Sequence, residues 1–200
     1  MKTLAADQVK IGFLGLGNRG SRIAFRLLDH GYRLSAYDRD PAKAQAITAH
    51  GGGVSQSIQE LARTSDVLLS CLTNDEAVRS VYRAPTGVLA GARPGTVVLE
   101  MSTISPESSR GLHRLGAKRG IEVLDAAISG STPAAEQGWL TLLVGGNREV
   151  FAAAEPVCQA VAKRYFLLGE SGSGTAMKFG RQYAAGCAGI RCASCTKISS

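Results

Sequence analysis

Residues 10–20 read KIGFLGLGNRG, a short apolar run that leads into three glycines spaced as G-x-G-x-x-G. Between a strand and a helix, the first glycine permits a tight turn, the second lets the backbone approach a pyrophosphate, and the third lets helix and strand pack closely. This spacing predicts a dinucleotide-binding turn after the first strand. Its candidate cofactor-binding residues are Gly15, Leu16, Gly17, Asn18, Arg19 and Gly20.

The second predicted strand, Leu34–Tyr37, is followed by an acid and a base that bear on which dinucleotide binds. Asp38 lies about 20 residues beyond the glycines, where a carboxylate can bond the ribose hydroxyls of NAD. Arg39 comes next, and an arginine there can bond the 2′-phosphate of NADP. A solvated turn residue is the simpler interpretation of Arg39. The sequence therefore predicts NAD or NADP and leaves the choice open.

The chain from residue 9 to about residue 168 alternates apolar runs of strand length with periodic segments of helix length. This alternation predicts an α/β fold, a Rossmann-like doubly wound and mostly parallel sheet that binds ligands at the carboxyl ends of its strands. The predicted strands are Lys10–Leu14, Leu34–Tyr37, Val67–Cys71, Val97–Met101, Ile121–Asp125, Leu140–Val144 and Tyr165–Leu168, with helices at Ser21–Leu28 and Pro41–Ala49 among others.

The pattern changes after Gly169, so the predicted domains are 1–169, the NAD(P)-binding domain, and 170–200, the start of an all-α second domain. Glycine and serine dominate residues 170–174, which predicts a flexible segment. From residue 176 the sequence predicts one or two helical turns before the periodicity is lost.

Charge and cysteine content narrow the function classes. The net charge is +7, but residues 178–200 hold four basic and no acidic residues, which leaves +3 for residues 1–177. This distribution predicts no nucleic-acid partner, because such binding needs a basic stripe. Three of the five cysteines lie at 187–195, distant from every histidine, so we expect neither a metal site nor a disulfide framework. No apolar run reaches membrane-spanning length, and we expect no membrane partner and a cytoplasmic location.

Four separated motifs make the sequence specific. They are GFLGLGNRG at 12–20, MSTISP at 101–106, DAAISG at 125–130 with GWLTLLVGG at 138–146, and GSGTAMK at 172–178. In this order they resemble the β-hydroxyacid dehydrogenases, and the resemblance covers about residues 9–179. It implies NAD- or NADP-dependent oxidation of a small β-hydroxyacid.

The resemblance also implies roles for individual residues. Lys178 matches the family's catalytic lysine, which assists proton transfer at the substrate hydroxyl; to act near neutral pH it needs a lowered pKa. Ser129, Gly130 and Ser131 match the segment that grips the substrate carboxylate. Thr103 resembles the family's contact to the nicotinamide end, and Leu72 and Thr73 its cofactor-covering loop. Simpler interpretations are an ordinary turn at residues 129–131 and a helix N-cap at Ser105.

The sequence departs from the family at three places. Arg19 stands where the family commonly has Met, and Gln182 stands where it carries a substrate-binding Asn. The family also continues after its lysine with an all-α domain that closes the cleft and usually forms a homo-oligomer. We therefore expect impaired activity from this chain, with a non-catalytic dinucleotide-binding module as the alternative. Our hypothesis for the sequence after Phe179 is a frameshift, because a frame one base on can restore an apolar helix with Asn at 182.

Overall fold

The computed structural model describes residues 3–188 of the chain, and the side chains of residues 3–180. The side chain of Gln182 therefore lies outside the described residues. The frameshift hypothesis, which concerns the sequence after Phe179, also falls largely outside them and stays a prediction.

Eight strands form one sheet, in the order β3-β2-β1-β4-β5-β6-β7-β8. All neighbouring pairs are parallel except β6 and β7. The predicted doubly wound, mostly parallel α/β fold is confirmed. The strands are β1 (Lys10–Leu14), β2 (Arg33–Tyr37), β3 (Gly53–Val54), β4 (Val67–Ser70), β5 (Val97–Glu100), β6 (Glu122–Ser129), β7 (Leu140–Gly145) and β8 (Ala162–Leu167).

Nine helices connect or cover these strands within the described residues. They are α1 (Gly20–Asp29), α2 (Pro41–Ala49), α3 (Ile58–Thr64), α4 (Asp75–Arg83), α5 (Val88–Gly91), α6 (Pro106–Ala117), α7 (Thr132–Glu136), α8 (Arg148–Val161) and α9 (Ser173–Ala188). Several begin at a side-chain cap. Ser105 caps α6, since its Oγ accepts from Ser108 N at 3.2 Å, as its simpler interpretation predicted.

Two differences from the predicted strands have physical causes. The short strand β3 was not predicted, because two residues cannot produce a periodic apolar pattern. Strand β6 runs on to Ser129, four residues beyond its predicted end. The added residues pair antiparallel with β7, with Ser129 opposite Thr141, and this partner strand comes later in the chain, after α7.

The alternation of side chains across the sheet divides the core into two layers. One layer packs under α1, α2 and α8 and includes Phe13, Leu69 and Leu99; the other packs under α3 to α6 and includes Leu68 and Val98. Strand β4 pairs in parallel with both β1 and β5, so the carboxyl ends of these three strands lie side by side at one edge of the sheet. The loops that follow the three strands are thereby brought together.

The last helix, α9, differs from its prediction. It runs from Ser173 to Ala188, longer than the one or two turns expected, and it packs against β6 and β7. The segment before it, predicted to be flexible, is held by hydrogen bonds: Gly146 N donates to Gly169 O, and Gly172 N donates to Asp125. No helix among the described residues combines the length and apolarity that crossing a membrane requires.

Candidate active site

The glycine-rich turn has the geometry that its spacing predicts. Gly15 has φ +87°, and a Cβ there would lie 2.5 Å from Cys71 O. A Cβ at Gly20 would overlap Gly15 O, so α1 packs directly on the turn. At Gly17 the situation is reversed, because a Cβ there would meet nothing within 4 Å. Two glycines are thus required by the fold, whereas Gly17 leaves open space where a ligand can approach the backbone.

Asp38 closes the turn from the end of β2. Its Oδ2 accepts from Leu16 N at 2.6 Å and its Oδ1 accepts from Asp40 N at 2.9 Å. The Leu16 side chain is buried in the core. In the structure Leu16 therefore supports the turn through its N–H and side chain, and its predicted contact with cofactor stays a prediction. Each carboxylate oxygen of Asp38 retains a lone pair that a ribose hydroxyl could use.

A groove of about 380 Å³ brings together six of the eleven predicted cofactor residues, namely Gly15, Gly17, Asp38, Arg39, Leu72 and Thr73. The other five, Leu16, Asn18, Arg19, Gly20 and Thr103, do not line it. Its walls come from the glycine-rich turn, the end of β2 and the loop after β4, which includes the predicted Leu72 and Thr73. The cations Arg39 and Lys43 lie at the end where Asp38 stands. The open backbone at Gly17 and this groove fit a dinucleotide, with the pyrophosphate at the start of α1 and the adenosine between β2 and α4.

Lys178 lies on α9 and reaches the loop after β5. Its side chain is buried, and Nζ donates to Thr103 Oγ1 at 2.6 Å. Burial lowers the pKa of the Lys178 ammonium, and the nearby Arg19 cation lowers it further. Two residues predicted separately, one for proton transfer and one for the nicotinamide end, are thus in direct contact.

The segment Ser129–Ser131 begins at the end of β6, four residues beyond Asp125, which pairs with Glu100 at the end of β5. Gly130 has φ +146°, and a Cβ there would lie 2.8 Å from Leu140 Cδ2. The Ser131 hydroxyl accepts from Ala134 N at 3.4 Å and so caps α7, which is the ordinary-turn interpretation. The role of these residues toward a carboxylate stays a prediction.

A buried carboxyl that the sequence interpretation did not include lies beneath this site. Glu100 ends β5, and its Oε1 accepts from Ser102 N at 2.8 Å. Its Oε2 accepts from Ser70 Oγ, which is also bonded to Tyr82 Oη at 2.6 Å. Ser102 Oγ in turn accepts from Leu72 N at 2.7 Å. This network joins the loops after β4 and β5. Its only signal in the sequence was Glu100, the acidic residue that ends the apolar run VVLE.

The environment of Glu100 shifts its ionisation. Burial raises the pKa of the Glu100 carboxyl above 4.5, opposed in part by the hydrogen bonds from Ser102 and Ser70. Cys71, on the wall of the groove, is also affected: burial raises the pKa of its thiol to about 11. Cys71 is therefore a thiol near neutral pH and a poor nucleophile. Among the described residues no cluster of three His, Cys, Asp or Glu could hold a metal ion.

This fold and this site define a dinucleotide-binding domain of the Rossmann-like class. Residues 10–169 match the family model described as the NAD binding domain of 6-phosphogluconate dehydrogenase. The chain belongs to that family, and its relatives place it with the β-hydroxyacid dehydrogenases that its motifs resemble. The cofactor is accordingly NAD or NADP.

Three relatives illustrate the similarity. The chain is 36% identical over 179 residues to 2-(hydroxymethyl)glutarate dehydrogenase of Eubacterium barkeri, covering 90% of this chain and 60% of that protein. A solved structure of Mycobacterium tuberculosis 3-hydroxyisobutyrate dehydrogenase with L-serine superposes with a TM-score of 0.84 at 34% identity, covering 88% of this chain and 60% of that one. Psf3 in complex with NADP+ and 2-OPP gives a TM-score of 0.84 at 31% identity, covering 87% and 62%. The chain thus spans about 60% of the length of these relatives.

Proposed function

We propose that this chain is the cofactor-binding part of an NAD(P)-dependent dehydrogenase for small β-hydroxyacids, with Lys178 as its proton-transfer residue. The observation that carries the proposal is the part-buried contact between Lys178 Nζ and Thr103 Oγ1 at the carboxyl edge of the sheet, made by a lysine that is only 8% exposed. A surface lysine would have neither this burial nor a lowered pKa. The predicted division into residues 1–169 and 170–200 remains part of this proposal.

The residues divide the chemistry between them. When bound, the nicotinamide ring of the cofactor supplies the acceptor for the hydride that leaves the substrate carbinol carbon. The lowered pKa of Lys178 increases the fraction of neutral amine, which accepts the proton from the substrate hydroxyl. Thr103 holds Nζ in place, and the backbone and hydroxyls at Ser129–Ser131 are the proposed carboxylate clamp. Gln182 is the proposed further substrate contact, one turn beyond the lysine.

The substrate class comes from the relatives. The names 2-(hydroxymethyl)glutarate and L-serine describe acids that share a primary alcohol on the carbon next to the one bearing the carboxylate. We infer the same group for this chain. Lys178 is the proposed partner of the hydroxyl of such an acid, and Ser129–Ser131 is the proposed partner of its carboxylate. A cytoplasmic location and a homo-oligomer remain predictions.

For the cofactor we infer a preference for NADP. Arg39 and Lys43 both line the groove at the end where the adenosine ribose would lie. Lys43 has only a long contact to an acid, with Nζ 3.9 Å from Asp40 Oδ2. Asp38 at the same end favours the free ribose hydroxyls of NAD, so the inferred preference for a 2′-phosphate rests on two cations outweighing one carboxylate.

The test is a titration of the chain with NADPH and NADH, followed by NADP+ reduction with L-serine and 3-hydroxyisobutyrate. We expect saturable NADPH binding and slow turnover. The Lys178→Met variant should keep binding and lose turnover, whereas a non-catalytic module would show binding and no lysine-dependent reaction. A folded chain that binds neither nucleotide contradicts the proposal.

A further inference from the structure

Asp125 is a second buried carboxylate at the carboxyl edge of the sheet. It lies on β6 directly opposite Glu100 of β5 and is fully buried. A buried carboxylate is costly unless its oxygens accept hydrogen bonds. Asp125 has such partners in one place: Oδ1 accepts from Gly172 N at 2.7 Å, and Oδ2 accepts from Thr175 N at 2.9 Å and, at a longer 3.4 Å, from Thr175 Oγ1.

These donors lie at Gly172, directly before α9, and at Thr175 in its first turn. The first N–H groups of a helix have no partner within the helix, and Asp125 accepts hydrogen bonds from this region although it lies on a different element. Its carboxylate also interacts favourably with the positive end of the helix dipole. The contact spans about 50 residues of sequence, which is unlike an ordinary cap formed by a neighbouring residue. Asp125 therefore joins α9 to the sheet.

Close packing accompanies these bonds. A Cβ at Gly174 would overlap Leu143 O and lie 2.9 Å from Asp125 Oδ2, and a Cβ at Gly145 would lie 2.6 Å from Asp125 Oδ1 and 2.9 Å from Ser173 N. Glycine at both positions lets the helix backbone lie directly on β7 and on the Asp125 carboxylate. The helix start thus has little freedom to slide or lift.

Lys178 follows Thr175 by three residues, which places both on the same face of α9 about one turn apart. Their contacts point to adjacent strands: Thr175 binds Asp125 of β6, and Lys178 binds Thr103 after β5. Because a helix is stiff over one turn, the position of its first turn sets the position of the Lys178 Cα.

We propose that Asp125 is a positioning residue that places Lys178 at Thr103 through the first turn of α9. The proposal rests on the proposed function only for the catalytic meaning of that placement. When the Asp125 bonds are lost, α9 shifts or frays at its start, and the Lys178 side chain leaves its buried site for solvent. The Lys178–Thr103 contact is then lost while the glycine-rich turn stays intact.

The experiment measures the titration of Lys178 in the free chain by NMR, with labelled lysine side chains and Lys178→Met for assignment. The variants are Asp125→Ala, Asp125→Asn, which replaces one acceptor oxygen by a donor, and Thr175→Val. The last variant removes the long contact from Thr175 Oγ1 to Asp125 together with its 3.0 Å bond to Gly172 O, and it keeps both backbone bonds to Asp125. The matched control is Ile47→Ala, a fully buried side chain of α2 in the same core. This control lowers overall stability without touching α9.

Burial and the Arg19 charge lower the titration midpoint of Lys178 in the wild type. We expect this midpoint to rise toward that of a free lysine in the variants, most in Asp125→Ala and least in Thr175→Val. The Ile47→Ala midpoint should stay at the wild-type value. An unchanged midpoint in the folded Asp125 variants, or an equal rise in Ile47→Ala, overturns the proposal. Should Asp125→Ala not fold, Asp125→Asn decides by the same criterion.

NADPH titration of the same variants keeps the two proposals separate. We expect binding within about twofold of wild type in Asp125→Asn, because the turn and Asp38 directly follow β1 and β2 and do not belong to β6 or α9. A wild-type chain that binds no nucleotide would overturn the proposed function, yet it would leave the coupling of Asp125 to Lys178 measurable.

Discussion

The glycine-rich turn and the Lys178 contact lie at the same edge of the sheet but are assembled differently. The turn and its clamp, Asp38, come from one β-α-β segment between residues 10 and 38. The lysine contact needs Thr103 after β5, Asp125 on β6 and Lys178 on α9. The first region is built from local geometry, and the second depends on three distant segments being packed correctly. A change in one region should therefore leave the other measurable, and the following predictions test this independence.

The largest expected effect comes from a substitution that changes only the glycine-rich turn. Gly17→Val should weaken NADPH binding more than about 100-fold, or about 2.8 kcal/mol, because the side chain fills the space the pyrophosphate needs. The fold should be retained, since a Cβ at Gly17 meets nothing within 4 Å. Fluorescence titration and thermal unfolding measure the two quantities.

Gly20→Ala is the matched control, because its Cβ overlaps Gly15 O and should lower the unfolding temperature. A Gly17→Val chain that binds like wild type would show that the pyrophosphate does not approach this backbone. The Lys178 midpoint should be the same in Gly17→Val and wild type.

The next effect concerns the Glu100 network that lies between the two regions. The pKa of Glu100 is raised in the folded chain above 4.5, so its contribution to stability is present below that pH and is lost as the pH rises through the folded-state value. Glu100→Gln removes the charge and should flatten this part of the stability curve. Denaturant unfolding of both proteins between pH 4 and 8 measures the difference.

Tyr82→Phe is the control for Glu100→Gln. It removes one hydroxyl from the same network, so it should cost about 1 kcal/mol. Because that hydroxyl lowers the pKa of Glu100, its removal should keep or enlarge the loss of stability with rising pH. Parallel stability curves for wild type and Glu100→Gln would contradict the raised pKa.

A smaller effect sharpens the assignment of the groove. Arg39→Ala should weaken NADPH binding about tenfold, or about 1.4 kcal/mol, and leave NADH binding nearly unchanged. Lys43→Ala should act in the same direction with a smaller loss, because an ammonium cannot bond a phosphate in the bidentate way that a guanidinium can. Equal losses for both nucleotides would show that neither cation contacts the 2′-phosphate.

The smallest expected effect tests whether a charge in the glycine-rich turn changes the pKa of Lys178. Arg19 lies in the turn, yet its charge lowers the pKa of Lys178. Arg19→Met, which restores the residue common in the family, should raise the Lys178 midpoint slightly at low salt. Because the interaction is partly solvent-exposed, about 1 M salt should remove most of the difference. A midpoint that is the same in both proteins at low salt would show that the two regions are electrostatically separate.

Much of the fold could be predicted because its evidence is periodic. Helix α2 begins and ends where Pro41–Ala49 predicted it, and β1 matches Lys10–Leu14. The length of β6 could not be read in the same way, because its last residues are strand only through pairing with β7. The hydrogen bonds that hold residues 170–174 in place were also not predicted. Its glycines indicate flexibility when read alone, whereas here they permit close packing on Asp125.

The candidate site shows the same division. The glycine spacing determined the turn by itself, because the requirement for positive φ at Gly15 and for open space at Gly17 is a property of the local backbone. Lys178 could be named from a motif, but its burial and its bond to Thr103 required the packed sheet. A lysine pKa is lowered by the loss of water around the ammonium, and that loss is produced by strands and a helix from distant parts of the chain. Asp125 and Glu100 belong to this second kind, since only parallel strands bring their carboxylates to the same edge.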